Sequence, residues 1–569
     1  MNLSIGVTGH RDLVATEVPV LESRVRTFLR QLAARFPGLQ LEVLSPLAEG
    51  GDQLAARVAL ELGFVLIAVL PMAQGEYEKD FESADALQEF RRLVAAAGRV
   101  IELPLHNGNE LTPDATAAPA RDRQYAQAGV FISNHCQILL ALWDGREVDS
   151  VGGTAQVVRY HLRAVMEGFE APDSSAHLLA DSENDLACHI VCSRDRPDGA
   201  PAEGLRPMEQ YWITSQHDRL TGAGMPAEYS LMLERLQEFE RDRAALQPDE
   251  LAGRALLDDA LPGQPAPESA RYVERLHVAA DRLALRYQNR VNQGLYGIHT
   301  LAVLMGLVFI IYSEYAAPDY LLWMFLALFF SGVALHVAGN SREWHRKYLD
   351  YRALAEALRV QFYWHLSGVV ESRSVAFAYE NFLQKQDVEL GWIRHVMRNA
   401  SLLRRRGEEP DPAWVGWVVE RWVGQADSGD GQLAYYSRKE AQNSRNYRRT
   451  ELLGMVCLWS GIGIAFVLAL TSRGLSADQQ AVLLVLMGLL PLIAGVRDTI
   501  SHKKAEKELI KQYRFMARIF GNARRLLDGS SDLAFRRRVL KALGEAALEE
   551  GAEWILMHRS RPLEHKGLS

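Results

Sequence analysis

The rhythm of apolar and polar positions changes once along this chain, at about residue 268. Before that point, apolar runs of strand length alternate with stretches of helical period: LSIGVTG, a helix through Leu21 to Ala34, LEVLSPL, a second helix, and FVLIAVLP. A helix around Asp85 to Ala97 leads to VIELP, and another near Tyr125 leads to QILLALWDG. VGGTAQVVRYHLRAV follows, and HIVCSR at 189–194 is expected to end the sheet. Nearly continuous apolar strands separated by amphipathic helices predict a parallel, Rossmann-like α/β domain over residues 1–195. Residues 196–267, rich in Pro, Gly and acidic side chains around one helix, read as a connector.

From residue 268 the pattern is almost wholly helical, and four apolar runs stand out at about 298–312, 320–338, 452–470 and 481–496. Each approaches the roughly 20 residues that cross a bilayer core. The links SEYAAPD and TSRGLSADQQ are too short to hold a domain, so the runs pair into two hairpins. Arg282, Arg286 and Arg290 precede the first hairpin, and Arg342, Arg346 and Lys347 follow it. Arg445, Arg448 and Arg449 precede the second, and His502, Lys503 and Lys504 follow. By the positive-inside rule both ends of both hairpins are expected on the cytoplasmic side.

The expected architecture is therefore an α/β domain followed by an all-α membrane domain with four transmembrane helices in two hairpins. Its parts are a first helical unit over 268–370, a helical cytosolic region over 371–450, a second hairpin unit over 451–530 and a helical tail over 531–569. ALRYQNRVNQGLYGI and LAYYSRKEAQNSRNYRR enter the two hairpins in similar fashion and suggest a distant internal repeat. His299, His336 and Glu451 lie close to span ends, where interfacial solvation accounts for them. Gly306, Gly332, Gly461, Gly463, Gly488 and Gly495 would let helices approach closely.

Composition alone would conceal the membrane segments, because 24% of the 569 residues are charged. The net charge of -8 argues against a general nucleic-acid coat. The 4 cysteines, Cys136, Cys188, Cys192 and Cys457, suggest neither a disulfide framework nor a complete metal site, so no metal is expected. Met1 leads straight into a strand without the features of a signal peptide, so the first domain is expected in the cytosol, with both termini cytoplasmic and the chain multi-pass in the inner (cytoplasmic) membrane.

Three turns carry the candidate chemistry. GVTGHRDL at 6–13 opens between the first strand and helix, where backbone N–H groups form a cradle for phosphate. Arg11 could hold a phosphate bidentately and His10 could make a polar or ring contact. SPLAEGGDQLAA at 45–56 makes a second turn, and LWDG followed by VGGTAQVV a third, in which Asp144 suits ribose hydroxyls and Thr154 a phosphate oxygen. Turns at adjacent strand ends face one crevice.

GVTGHR, SPLAEGGDQLAARVALELGFVLIAVLPM with YEKDF after it, and ALWDG followed by VGGTAQVV resemble the SLOG superfamily of Rossmann-like domains over roughly residues 3–170. That superfamily includes the Lonely-guy phosphoribohydrolases, the DNA-processing protein A family and the sensing domains of melastatin-type channels. HRKYLDYRALAEALR and HKKAEKELIKQYRFMARIF, one after each hairpin, resemble the SLATT class of membrane effectors. The resemblance implies an effector of an antiviral or other bacterial conflict system, whose SLOG part senses a nucleotide-derived ligand (ADP-ribose-like, NAD-like or cyclic) and whose membrane part forms a pore or disrupts the bilayer as a homo-oligomer. By motif position, Gly6, Thr8, Gly9, His10 and Arg11 would line the first turn, Glu49, Gly50, Gly51 and Asp52 the second, and Asp144, Gly152, Gly153 and Thr154 the third. Here VGGTAQVV lacks the spacer and the Glu of the Lonely-guy PGGxGTxxE loop, which argues against phosphoribohydrolase chemistry.

Two other readings stand beside the effector. A membrane-tethered nucleotide N-glycosidase would need an acid or base, for which Glu49, Asp52 and Asp144 are the candidates. A DNA-binding scaffold would need a basic surface, and the first domain instead carries Glu76, Glu78, Asp80, Glu82 and Asp85.

Overall fold

The structure is a computed structural model that describes residues 1–106, 118–148, 150–166, 168–169, 185–216, 224–251, 256–257, 265–315, 319–369, 390–402, 411–426 and 429–559. Parts of the expected connector, of the cytosolic helical region, of the SEYAAPD link and of the C-terminal tail lie outside these residues.

In chain order the first elements are β1 (Asn2–Gly9), α1 (Val18–Arg35), β2 (Gln40–Ser45), α2 (Gly51–Glu61), β3 (Val65–Leu70), α3 (Gln74–Tyr77) and α4 (Ala84–Ala96). There follow β4 (Arg99–Glu102), α5 (Ala118–His135), β5 (Ile138–Trp143), α6 (Thr154–Arg163), β6 (Ala187–Val191), β7 (Gln210–Ile213) and α7 (Ala227–Ala244). Then come α8 (Pro248–Leu251), α9 (Glu268–Glu314), α10 (Tyr320–Ser341), α11 (Trp344–Ser367) and α12 (Gly391–Leu402). The last helices are α13 (Ala413–Val418), α14 (Gly431–Thr471), α15 (Ala477–Lys503), α16 (Glu506–Asp528) and α17 (Leu533–Arg559). The chain divides into two compact units, Met1–Leu246 with Val370–Glu409, and Gln247–Val369 with Pro410–Ser569.

In the first unit the strands form one sheet in the order β4-β3-β2-β1-β5-β6-β7. All neighbours are parallel except β6 and β7. Leu3, Ile5 and Val7 are at most 2% exposed, which is why β1 carries apolar residues without a solvent face. Leu21, Val25, Phe28 and Leu32 form the buried stripe that lays α1 on the sheet.

Two parts of this unit fall beyond residue 195. The edge strand β7 pairs antiparallel with β6, placing Trp212 opposite Cys188. Helix α12 arrives from between the two hairpin regions and closes the end of the sheet where β1 and β5 begin. There Asn399 donates to the Asn2 carbonyl at 2.6 Å and accepts from Ser4 Oγ at 3.2 Å and from Gln137 Nε2 at 3.3 Å. The Trp392 ring packs on Phe239 of α7 at 5.6 Å. An amide side chain satisfies these buried groups at once, which an apolar residue could not do.

The second unit is helical, and four of its helices, α9, α10, α14 and α15, are long and apolar enough to cross a membrane. No more than 11% of the most apolar stretch of any of them is buried inside the molecule, so these apolar surfaces face outward. Each predicted run lies inside a longer helix. Helix α9, with 47 residues, extends about 70 Å at roughly 1.5 Å per residue, because the amphipathic segment before the apolar run continues into it without a break.

Both hairpins end alike. Glu343 (φ 49°) and Ala505 (φ 48°) take the left-handed conformation between the outgoing span and the next helix. The order long helix, span, left-handed residue, helix thus occurs twice, as α9-α10-α11 and α14-α15-α16.

The hairpins pack through α9 and α15. A Cβ on Gly306 would lie 2.4 Å from Leu492, and one on Gly488 would lie 2.8 Å from Ile310. Gly461 approaches Pro491 equally closely, whereas Gly332, Gly463 and Gly495 face open space. Gly306→Leu is therefore expected to lower stability in detergent by about 1–3 kcal/mol, the usual effect of overpacking, while Gly332→Leu leaves the melting temperature unchanged. Equal melting of both variants would contradict the contact.

Candidate functional site

The chain lays β1 to β4 outward on one side of β1 and then returns to place β5 on its other side. The strand order therefore reverses between β1 and β5, and the crevice beyond their carboxyl ends is where open α/β sheets bind ligands. His10 follows β1 and Asp144 follows β5. His10 N–H donates to the Leu142 carbonyl at 3.0 Å, which carries the two strands on into their turns together.

His10 Nε2 lies 3.1 Å from Asp144 Oδ1, within ion-pair distance but without hydrogen-bond alignment. Asp144 is 1% exposed and His10 8%. Burial pushes the Asp144 carboxyl up, but His10 and the Arg146 N–H, which donates to it at 3.0 Å, outweigh that and hold it below the ordinary carboxylate range. Asp144 is thus an anion at neutral pH, and its Oδ2 is buried without a hydrogen-bond partner among the described residues. A buried acceptor left in this state costs about 1–3 kcal/mol, which a ligand hydroxyl would recover.

The first two turns lock together. A Cβ on Gly9 would fall 2.8 Å from the Gly51 Cα, and the Gly51 N–H donates to the His10 carbonyl at 2.9 Å. Gly50 holds φ +85° beneath the Arg11 and His10 carbonyls. The second turn therefore supports the first, and the Gly51 amide is already engaged.

Asp52, at the start of α2, is buried beside this crossing, and burial pushes its carboxyl up to about 8 against the pull of Arg11 and of the Gly9 and Ala48 N–H groups. Its Oδ1 has no partner among the described residues. At neutral pH Asp52 is protonated and neutral, whereas Asp144 is charged. Their surroundings drive the two carboxyls apart.

The third turn lies over α5. A Cβ on Gly152, at φ +74°, would lie 2.8 Å from the Asp122 carbonyl. Gly152 N–H donates to Gln156 Oε1 at 2.6 Å, and Gly153 begins α6. The first amides of α6, from the buried Thr154 onward, have no intrahelical acceptor, which leaves them able to receive an anion.

The candidates divide accordingly. Gly9, His10, Arg11, Gly50, Gly51, Asp52 and Asp144 gather where β1 and β5 end, and Gly152, Gly153 and Thr154 come from the turn after β5. Glu49 is half-buried in the second turn. Thr8, 7% exposed, is still within β1, paired to Ala141. Gly6 is mid-strand, where a Cβ would strike Ile132 and Cys136 at 2.6 and 2.8 Å, so it serves helix packing.

Residues that the turns did not reveal complete the wall. The Arg11 guanidinium lies 5.0 Å over the Tyr125 ring. Tyr125 O–H donates to Asp80, which Arg121 also binds at 2.6 Å. Tyr77 is buried with its ring 6.2 Å from Tyr125. The YEKDF motif contained Tyr77 and Asp80, and that was the available signal. Among the described residues no cluster of three or more His, Cys, Asp or Glu could hold a metal. Scanning protein-family models and the curated proteins with this sequence gives no match.

Proposed function

We propose that this chain is a nucleotide-sensing membrane effector in which a ligand bound at the SLOG-like crevice triggers pore formation or membrane disruption in a bacterial conflict system. The observation that carries the reading is the His10–Asp144 pair across the strand switch point, in a chain with four membrane-length helices. Asp144 offers a carboxylate for ribose hydroxyls, the first turn of α6 offers amides for phosphate, and Arg11 supplies a cation braced on Tyr125. An ADP-ribose-like, NAD-like or cyclic nucleotide meets these groups.

The outward apolar faces of the spans meet lipid or further copies of the chain. Within one chain the hairpins are closed together at Gly306 and Gly488, so a conducting path requires several chains around an axis. The basic flanks of both hairpins support cytoplasmic termini, and the inner (cytoplasmic) membrane is the proposed location.

The test uses the full-length protein in detergent, since α12 belongs to the α/β unit. Thermal shift is recorded with ADP-ribose, NAD, cyclic ADP-ribose isomers and cyclic oligonucleotides. A ligand at about 100 times its Kd should stabilise the protein by roughly 2.7 kcal/mol. Arg11→Ala and Asp144→Asn are each expected to weaken that ligand by about tenfold or more, as loss of a charged hydrogen bond does, and to reduce dye release from liposomes in step. Unchanged affinity in both variants would refute the crevice. Leakage that ignores the ligand would refute the coupling.

One observation favours an N-glycosidase instead: the turns of the crevice carry both a neutral Asp52 and a charged Asp144, and acid-assisted bond cleavage needs a carboxyl in each state. Catalytic release of a free base from NAD or adenosine nucleotides, followed by chromatography and lost in Asp52→Asn, would establish it.

A further inference from the structure

The helical unit contains a cavity of about 980 Å³ between its two repeats, lined from α9 and α11 on one side and α14 and α16 on the other, with α17 behind. It belongs to this unit alone and has no part in the α/β crevice. Its volume lies in the range of small-molecule sites, but its walls are more polar than most.

One end of the cavity is set at the ends of the spans. Arg449 stands just before the apolar run of α14, Tyr296 just before that of α9, and Lys503 and Lys504 at the end of α15. Glu506 is the carboxylate that lines this end, and it already accepts from Ser501 Oγ at 2.8 Å. Lys504 is held by a tyrosine, with Nζ 2.8 Å from Tyr296 O–H and 4.5 Å over its ring.

Deeper in, the acids are matched to arginines. Arg352 binds Glu356 and lies 3.7 Å from Asp281, and Arg359 binds Glu356 at 2.6 Å. Burial, aided by Glu356, pushes the Glu550 carboxyl up to about 8, so that wall is uncharged at neutral pH. The excess charge of the cavity is therefore positive, carried at the span ends by Arg449, Lys503 and Lys504 and farther back on α14 by Lys439. Asn292, Asn443 and Asn446 also line the cavity and supply amides, and Tyr447 lines it too, its O–H donating to Glu451 at 2.8 Å.

We infer that this cavity is a second ligand site, which takes a phosphate-bearing molecule with its phosphate between Arg449 and Lys504 and its polar remainder among the asparagines and tyrosines. Ammonium and guanidinium groups beside a phosphate make charge-assisted hydrogen bonds, and the amides and phenols suit the hydroxyls of an attached polar group. Two sources share this chemistry: a phospholipid headgroup entering where the spans leave the bilayer, and a soluble phosphorylated compound.

The experiment uses the full-length protein in mild detergent, with phosphatidylglycerol adducts read by native mass spectrometry and pyrophosphate binding read by calorimetry. Lys504→Gln with Arg449→Gln is compared with Arg448→Gln, which removes an exposed charge from the neighbouring position without lining the cavity. Asn443→Trp fills the cavity while leaving every cation in place. The expected result is a loss of about tenfold or more in the double variant and in Asn443→Trp, with Arg448→Gln like wild type. Loss confined to phosphatidylglycerol identifies the lipid source, and loss confined to pyrophosphate the soluble one. Equal loss in Arg448→Gln would reduce the effect to diffuse attraction by basic flanks and overturn the site, as would unchanged binding in all variants.

Discussion

Asp52→Asn is expected to make stability decline less steeply with pH, between about pH 4 and pH 8, than it does in the wild-type protein. Folded Asp52 keeps its proton to about 8, whereas in the unfolded chain it releases it near 3.8. Between those values the folded state binds more protons, so stability declines as pH rises, by at most about 1.4 kcal/mol per pH unit from this one group. The decline ends above the folded value, where both states are ionised. The amide cannot ionise, so its curve should lack this contribution, while Glu550, also held up to about 8, keeps its own in both proteins. Melting temperatures in detergent from pH 5 to 8 check this, and parallel slopes in wild type and variant would refute it. The same property bears on ligands: a neutral Asp52 does not repel phosphate, so wild-type affinity should weaken above pH 8 and that of the Asn variant should not.

Gly50→Ala should have the larger structural effect. The added Cβ would lie 2.4 Å from the Arg11 carbonyl and 2.5 Å from that of His10, at φ +85°. Left-handed backbone alone costs about 1–2 kcal/mol for a residue with a side chain, and the collision with two backbone oxygens adds to it. A total on the order of 3 kcal/mol or more is expected, with loss of nucleotide binding, because the first turn cannot move without moving β1. Gly63→Ala is the comparison, since Gly63 has φ +77° and nothing within 4 Å of its Cβ. Hydrogen exchange over α2 should rise sharply in the first variant and little in the second. Equal effects would show that backbone strain, not the crossing of the turns, governs this position.

The α/β sheet was legible as far as β6 because each strand is a short apolar run bounded by a turn, and because the parallel order buries both faces. Strand β7 was not, since its four residues lie in a stretch whose Pro, Gly and acidic content suggests a connector. Helix α12 could not be assigned to the sheet from local pattern at all. Its place depends on Asn399 meeting Asn2, 397 positions away, and periodicity carries no information about such a partner. The spans were legible from hydropathy, but the continuity of α9 and α14 through them was not, because a change of solvent does not interrupt a helix.

At the crevice, the turn glycines and Asp144 followed from the motif, whereas the distinction among the glycines did not. Gly6 and Gly9 look alike in the sequence, and only the packing of α5 on one and of Gly51 on the other separates a spacer for a helix from a support for a turn. The opposite charge states of Asp52 and Asp144 depend on burial and on His10, neither of which spacing reveals.

The position of α12 also sets an order of manufacture. At a synthesis rate of about 5–20 residues per second, Asn399 emerges some tens of seconds after β1. By then the whole first hairpin, α9 and α10, has been made and is ready to enter the bilayer. Ser4, Gln137 and the Asn2 carbonyl wait for that late helix, so the sheet that carries the crevice is finished only after the chain has begun to take its place in a membrane. A truncated product released before residue 399 would hold the turns of the crevice on an incomplete sheet.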